Sequence, residues 1–130
     1  MNTPKTYEMI EAAVDLIKAT GWTQHALSRD SAGLLELYGT KEKYVPVCYC
    51  AMGAVEAILD EYYAEATSSY EDIEKTYQKA MAALHAATHS RSLASFNDAE
   101  GRTKEEVLEL MLSTAGQLRM QATMRYSVIS

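Results

Sequence analysis

The chain has 130 residues, 48% of them hydrophobic and 23% charged, with two prolines and six glycines; that balance belongs to one globular domain spanning residues 1–130, able to bury about two-thirds of its extended surface, and excludes a disordered chain. The net charge is −6 and the twelve Lys and Arg residues are scattered, which argues against nucleic acid as a partner, while no apolar run approaches the roughly 20 residues that span a bilayer. Met1 to Lys5 lead straight into an amphipathic segment with no signal-peptide pattern, and Cys48 and Cys50 have no distant partner cysteine, so free thiols and a cytoplasmic location are expected.

The first helix is expected to start with Thr3 as N-cap and Pro4 at the first helical position, and to stop at Gly21. Tyr7, Ile10, Ala13, Val14 and Ile17 recur at spacings of three and four, opposite Lys5, Glu8, Glu11, Asp15 and Lys18. Residues 22–47 break this rhythm, with turn signals at Asp30 to Gly33 and Tyr38 to Thr40. Their two short segments, Thr23 to Arg29 and Leu34 to Tyr38, read equally as a small hairpin or as single helical turns.

A second helix should begin near Tyr49, after Pro46, and carry Ala51, Val55, Ile58, Leu59, Tyr62 and Ala66 on its apolar side. Ser68 and Glu71 read as a capping box for a third, with Tyr70, Ile73, Tyr77, Ala80, Met81 and Leu84 as its buried stripe, fading near Thr88. His89 to Arg102 reads as a long polar connection. Thr103 and Glu106 form the clearest capping box, opening a last helix that buries Val107, Leu108, Met111, Ala115, Leu118 and Ala122. Acids at its start and Arg119 and Arg125 near its end complement the helix dipole. The expected fold is mainly α: a compact bundle-like domain of four to five helices, with room for a short hairpin between the first two long ones.

Three segments carry a resemblance: Gly21-Trp22-Thr23-Gln24-His25-Ala26-Leu27 followed by Gly33, then Cys48-Tyr49-Cys50-Ala51-Met52-Gly53-Ala54, then Phe96-Asn97-Asp98 leading to Thr103 and Val107. Together they resemble a family of small uncharacterised proteins of actinobacteria and their phages, known only as a domain of unknown function. The resemblance spans roughly Tyr7 to Ala115 and implies a shared fold and a bacterial or phage origin, but no activity. Within its pattern His25 stands where a small residue is usual.

Three constellations bear chemistry. Asn97 and Asp98 with the only Trp and Phe, Trp22 and Phe96, are candidates to line a small-molecule site in which a ring stacks the ligand and the amide and carboxylate orient it; the plainer reading is a turn that sets the last helix's entry angle. His85 and His89, four apart, with Cys48 and Cys50, supply a zinc-type donor set, although Cys-x-Cys is shorter than the usual ligand spacing and the histidines suit a solvated face. Cys50, His25 and Asn97 are the residue types of a papain-like thiol enzyme, with a buried structural cysteine as the ordinary alternative. Gly53 is expected to admit a neighbouring helix, and of the adjacent Tyr62 and Tyr63 one should face outward among acids as a protein contact. The leading expectation is a non-enzymatic protein-binding module with no cofactor, whose partner is a host protein or a second copy of the chain as a homodimer. The alternative is a ligand site or enzyme at Trp22, His25, Cys50, Phe96, Asn97 and Asp98.

Overall fold

The structure, a computed structural model, describes residues 3–34, 44–65, 69–89 and 92–129, with side chains as far as Met124. Five helices and a two-stranded antiparallel sheet follow one another as α1 (Thr6–Ala19), β1 (Ser28–Asp30), β2 (Pro46–Tyr49), α2 (Ala51–Glu65), α3 (Tyr70–Ala87), α4 (Leu93–Asp98) and α5 (Lys104–Ile129). The mainly α architecture with a hairpin between the first two long helices is the expected one. No described helix is long and apolar enough to cross a membrane.

The spacing in α1 explains its position at the centre: it turns Met9, Ile10, Ala13, Val14 and Ile17 inward, all essentially inaccessible, and packs against α2, α3 and α5. Its start differs from expectation. Lys5, not Thr3, is the N-cap residue, and Glu8 reaches back to accept from the Lys5 N–H at 2.8 Å. Pro4 stays outside the helix, where its carbonyl accepts from the Thr76 hydroxyl of α3 at 3.2 Å. That bond accounts for Thr76 occupying the buried stripe beside Ile73, Ala80, Met81 and Leu84. At the other end Gly21 takes φ +153°, a conformation L side chains rarely adopt, and its carbonyl accepts from Tyr49 N–H at 3.0 Å.

The hairpin pairs Ser28 with Tyr49, Arg29 with Cys48 and Asp30 with Pro46, the register slipping between Arg29 and Asp30. Trp22 adds an isolated bridge to Tyr49. Of the segment Leu34 to Tyr38, only Leu34 lies within the described residues, and Ala66 and Ser68 also fall outside them. Helix α2 starts later than expected, at Ala51, because Tyr49 is committed to the sheet; Cys50 caps it, its Sγ accepting from Gly53 N–H at 3.2 Å. Gly53 admits a close neighbour, but the bend leading into β1 and not a helix: a Cβ there would stand 2.0 Å from the Leu27 carbonyl oxygen.

Helix α3 is capped by Ser69, whose hydroxyl accepts from Asp72 N–H at 3.1 Å. Tyr70, expected in the core, lies exposed in the first turn, its ring edge-on to Tyr63 at 5.1 Å between centroids. The expected long connection from His89 to Arg102 contains α4, six residues started by Ser92, which accepts from Ser95 N–H at 3.1 Å. The Thr103–Glu106 capping box forms as read, with reciprocal bonds of 2.9 and 3.2 Å. From it α5 runs along α1 and α3, burying Val107, Leu108, Met111, Thr114 and Ala115.

Candidate functional site

Four of the residues singled out from sequence, Trp22, Asn97, Asp98 and His25, meet where the segment after α1 crosses α4 and the start of α2. Asn97 is the hub. It is wholly buried because α4 turns it inward beside Leu93, one helical turn away on the same face. Its Oδ1 accepts from Trp22 Nε1 at 2.7 Å and from Ala51 N–H at 3.0 Å. Its Nδ2 donates to the Thr23 carbonyl at 3.1 Å and to Asp98 Oδ1 at 2.9 Å. An amide side chain has two donor hydrogens and two acceptor lone pairs, so every one is used within the chain.

Asp98 extends the same network. Its Oδ1 also accepts from His25 N–H at 2.9 Å, which holds His25 at φ +63°, a region costly for a residue with a Cβ. The His25 ring itself points outward, its Nδ1 lying 3.9 Å from Asp98 Oδ2. Two residues that sequence reasoning passed over complete the clamp. Gln24 donates from Nε2 to the carbonyls of Asn97 and Ala99, both at 3.0 Å, and Arg29 donates to Thr23 Oγ1 and to the Gln24 and Gly33 carbonyls. Gln24 belonged to the tryptophan segment quoted above, but no periodicity marks a polar residue as a tie to a helix more than 70 positions away.

Phe96 does not join this network. Its ring lies under the Arg102 guanidinium at 3.7 Å, and Arg102 Nε donates to the Phe96 carbonyl at 2.8 Å, so that ring face is covered from within the chain. Cys50 is buried, and burial pushes its thiol up, against the smaller opposite influence of the Gly53 and Met52 N–H groups. The helix start therefore does not turn Cys50 into a thiolate, since desolvation outweighs those donors. Among the described residues no hydrogen bond joins Cys50 to His25, and the Asn97 amide is spent on other partners.

The four zinc-type donors are not gathered. Among the described residues no group of three or more His, Cys, Asp or Glu side chains is arranged to hold a metal ion. Cys48 and Cys50 remain free thiols, one on β2 and one capping α2. His85 is turned to α4, where its Nδ1 accepts from Leu93 N–H at 2.7 Å, and His89 lies exposed beyond the end of α3. The i, i+4 histidine spacing therefore serves a local junction: one ring docks the next helix and the other does not share its partner.

A separate groove of about 730 Å³ opens between the start of α1, α3 and α5, lined among others by Lys5, Tyr7, Lys75, Lys79, Leu118 and Gln121. It shares no residue with the Asn97 cluster. The apolar surface gathers elsewhere again, on and beside the hairpin, where Leu27, Leu34, Val45 and Val47 are 40–67% exposed.

Residues 1–117 match the family of unknown function DUF6197. No curated protein and no solved structure matches the chain significantly. The match takes in all three segments Gly21–Leu27, Cys48–Ala54 and Phe96–Val107, which are the segments that meet around Asn97. The chain belongs to the family of unknown function DUF6197.

Proposed function

We propose that this protein is a non-enzymatic protein-binding module of the bacterial or phage-infected cytosol, and that it meets its partner through the hairpin face bearing Leu27, Leu34, Val45 and Val47. The observation that carries this reading is the set of exposed apolar side chains on β2 (Val47) and in the segments that flank the strands (Leu27, Leu34 and Val45), four of the eight large exposed hydrophobics among the described residues. Solvent-facing branched side chains on a hairpin add nothing to the core, whereas a neighbouring protein that covered them would remove apolar area from water at about 25 cal/mol per Å². The Asn97 network supports the same reading in a structural role: by tying the segment after α1 to α4 and to the start of α2, it holds the base of the hairpin rigid, which lowers the entropy lost on docking. Free thiols at Cys48 and Cys50 suit a reducing compartment.

The ligand-site alternative at Trp22, Cys50, Phe96, Asn97 and Asp98 gains no support from geometry, since the amide, the indole N–H and one face of the phenyl ring are all occupied within the chain. The test is affinity capture from a bacterial lysate with the wild-type chain and a Leu27→Ser/Val45→Ser variant. Both substituted side chains are exposed, so the variant should keep the wild-type circular dichroism spectrum. Retention of a defined protein by the wild type and its loss from the variant is the expected result; equal retention by both, or by neither, overturns the proposal.

A further inference from the structure

A second surface, sharing no residue with the hairpin, is formed by the outer side of α5. Gly116 lies well inside this 26-residue helix, where glycine weakens helix formation relative to alanine. A compensating reason is visible for Gly53, whose absent Cβ leaves room for the Leu27 carbonyl. For Gly116 no such reason is found among the described residues: a Cβ there would meet none of them within 4 Å. One turn to either side stand Leu112 and Met120, and Met124 follows one turn later; the three are 43%, 64% and 60% exposed. Residues spaced by four form one ridge on a helix surface, so the ridge reads large, small, large, large, with a notch at Gly116.

Charge is missing from the same stretch. Leu110 to Leu118 contain no charged residue in a chain that is 23% charged. Between Glu109 and Arg125 the single charged residue is Arg119, and it is engaged inside the chain, with Nη2 at 2.7 Å from Glu11 Oε1 and its guanidinium 4.3 Å from the Tyr7 ring centroid. Two copies of a chain carrying −6 repel one another, and a self-contact is least opposed where neither copy brings a charge.

We propose that this face is where a second copy of the chain docks, the two α5 helices crossing at Gly116 about a twofold axis. A twofold contact demands a surface complementary to itself. The order Leu112, Gly116, Met120 meets that demand, because reversing it again sets a large side chain against a large one on either side of a notch. Each Leu112 then packs beside the other copy's Met120, and the two glycines let the backbones approach at the crossing, as interdigitating four-spaced ridges do. The uncharged surface offers an unrelated partner no electrostatic handle while removing the obstacle to self-association.

Sedimentation equilibrium of the full chain over a concentration series gives the test. The wild type should show a monomer–dimer equilibrium closing at two copies. Leu112→Glu and Met120→Glu, each placing like charges near the axis, should weaken the dimer by about tenfold or more, with unchanged helical content. Gly116→Ala should raise the melting temperature measured at monomeric dilution, since it meets open space and favours helix, yet weaken the dimer. Leu27→Ser/Val45→Ser, the hairpin variant, should leave the mass unchanged, which separates failure of this proposal from failure of the hairpin reading. A wild-type chain that stays monomeric at about 100 μM, a dimer insensitive to the α5 variants, or one lost only in the hairpin variant would overturn it.

Discussion

Replacing Asn97 by Asp tests whether the hub is held by its hydrogen bonds or merely by its bulk. The substitution exchanges one NH₂ for one oxygen and leaves volume almost unchanged. Oδ1 can still accept from Trp22 Nε1 and Ala51 N–H, but the new oxygen faces the Thr23 carbonyl and Asp98 Oδ1, where the amide had donated. Two donations become two acceptor–acceptor contacts, and a charge is placed at a wholly buried position. Leaving a buried charge without a compensating partner costs about 3–5 kcal/mol, a large part of the roughly 5–15 kcal/mol that holds a domain folded. Asn97→Ala removes all four bonds and strands the buried Ala51 N–H, for which about 1–3 kcal/mol per unsatisfied group applies; Trp22, half-buried, can reach water. Urea unfolding near neutral pH should therefore rank the Asp variant at or below the Ala variant, although it changes the shape less. The sign of the pH dependence follows from the same contacts. The introduced carboxyl is disfavoured as an anion in the fold and keeps its proton to higher pH there than in the unfolded chain, so the folded state binds the extra proton and the variant gains stability as pH falls. An Asp variant within about 0.5 kcal/mol of wild type near neutral pH, the scatter of an ordinary surface change, would refute the hub.

Gly53→Ala should destabilise by about 1–3 kcal/mol in the same assay, the usual cost of overpacking, because its Cβ would stand 2.0 Å from the Leu27 carbonyl oxygen; a neutral effect would mean that the hairpin base shifts freely. Titration with a thiol reagent near neutral pH should modify Cys50 only on unfolding, since burial both covers it and raises its thiol; native-state labelling faster than in the denatured chain would revive the thiol-enzyme reading. Ultraviolet difference titration should show Tyr63 ionising late, pushed up to about 12 by the hydrogen bond it donates to Glu74 and secondarily by burial. That bond stabilises the fold at pH below the ordinary tyrosine range and is lost as pH rises through about 12, so Glu74→Gln should bring the transition earlier, and no movement would remove the bond as its cause.

Much of this architecture was legible in the order of residues because helices declare themselves locally. Ile10, Ala13, Val14 and Ile17 in α1, and Val107, Leu108, Met111 and Ala115 in α5, follow a period set by 3.6 residues per turn, and Thr103 with Glu106 mark a start through bonds made three residues apart. Errors fell at boundaries where a distant contact overrode a local preference. Thr76 took a core position through Pro4, Tyr49 was drawn into the sheet, and Ser92 to Asp98 became helical between partners on α2 and α3.

The role of Asn97 shows where local reading stops. Its identity and its nearness to Asp98 and a capped helix were plain, and the residues Trp22, His25 and Asp98 named with it do meet. Apart from the bond to Asp98, what its atoms face was set by chain segments 46 to 75 positions away, and an amide reads alike in sequence whether its lone pairs await a ligand or hold an indole and a helix start. Cysteine and histidine behave likewise: Cys50 became an N-cap and His85 an anchor for Leu93, uses decided by packing. Residue order determined the helical period and the Thr103–Glu106 capping box, which act across one or two turns, and the surplus of acid, which depends on composition alone. The tertiary structure decided which polar groups were spent inward and which apolar ones, at the hairpin and along Leu112 to Met124, were left facing water, because burial is a property of what the rest of the chain brings alongside.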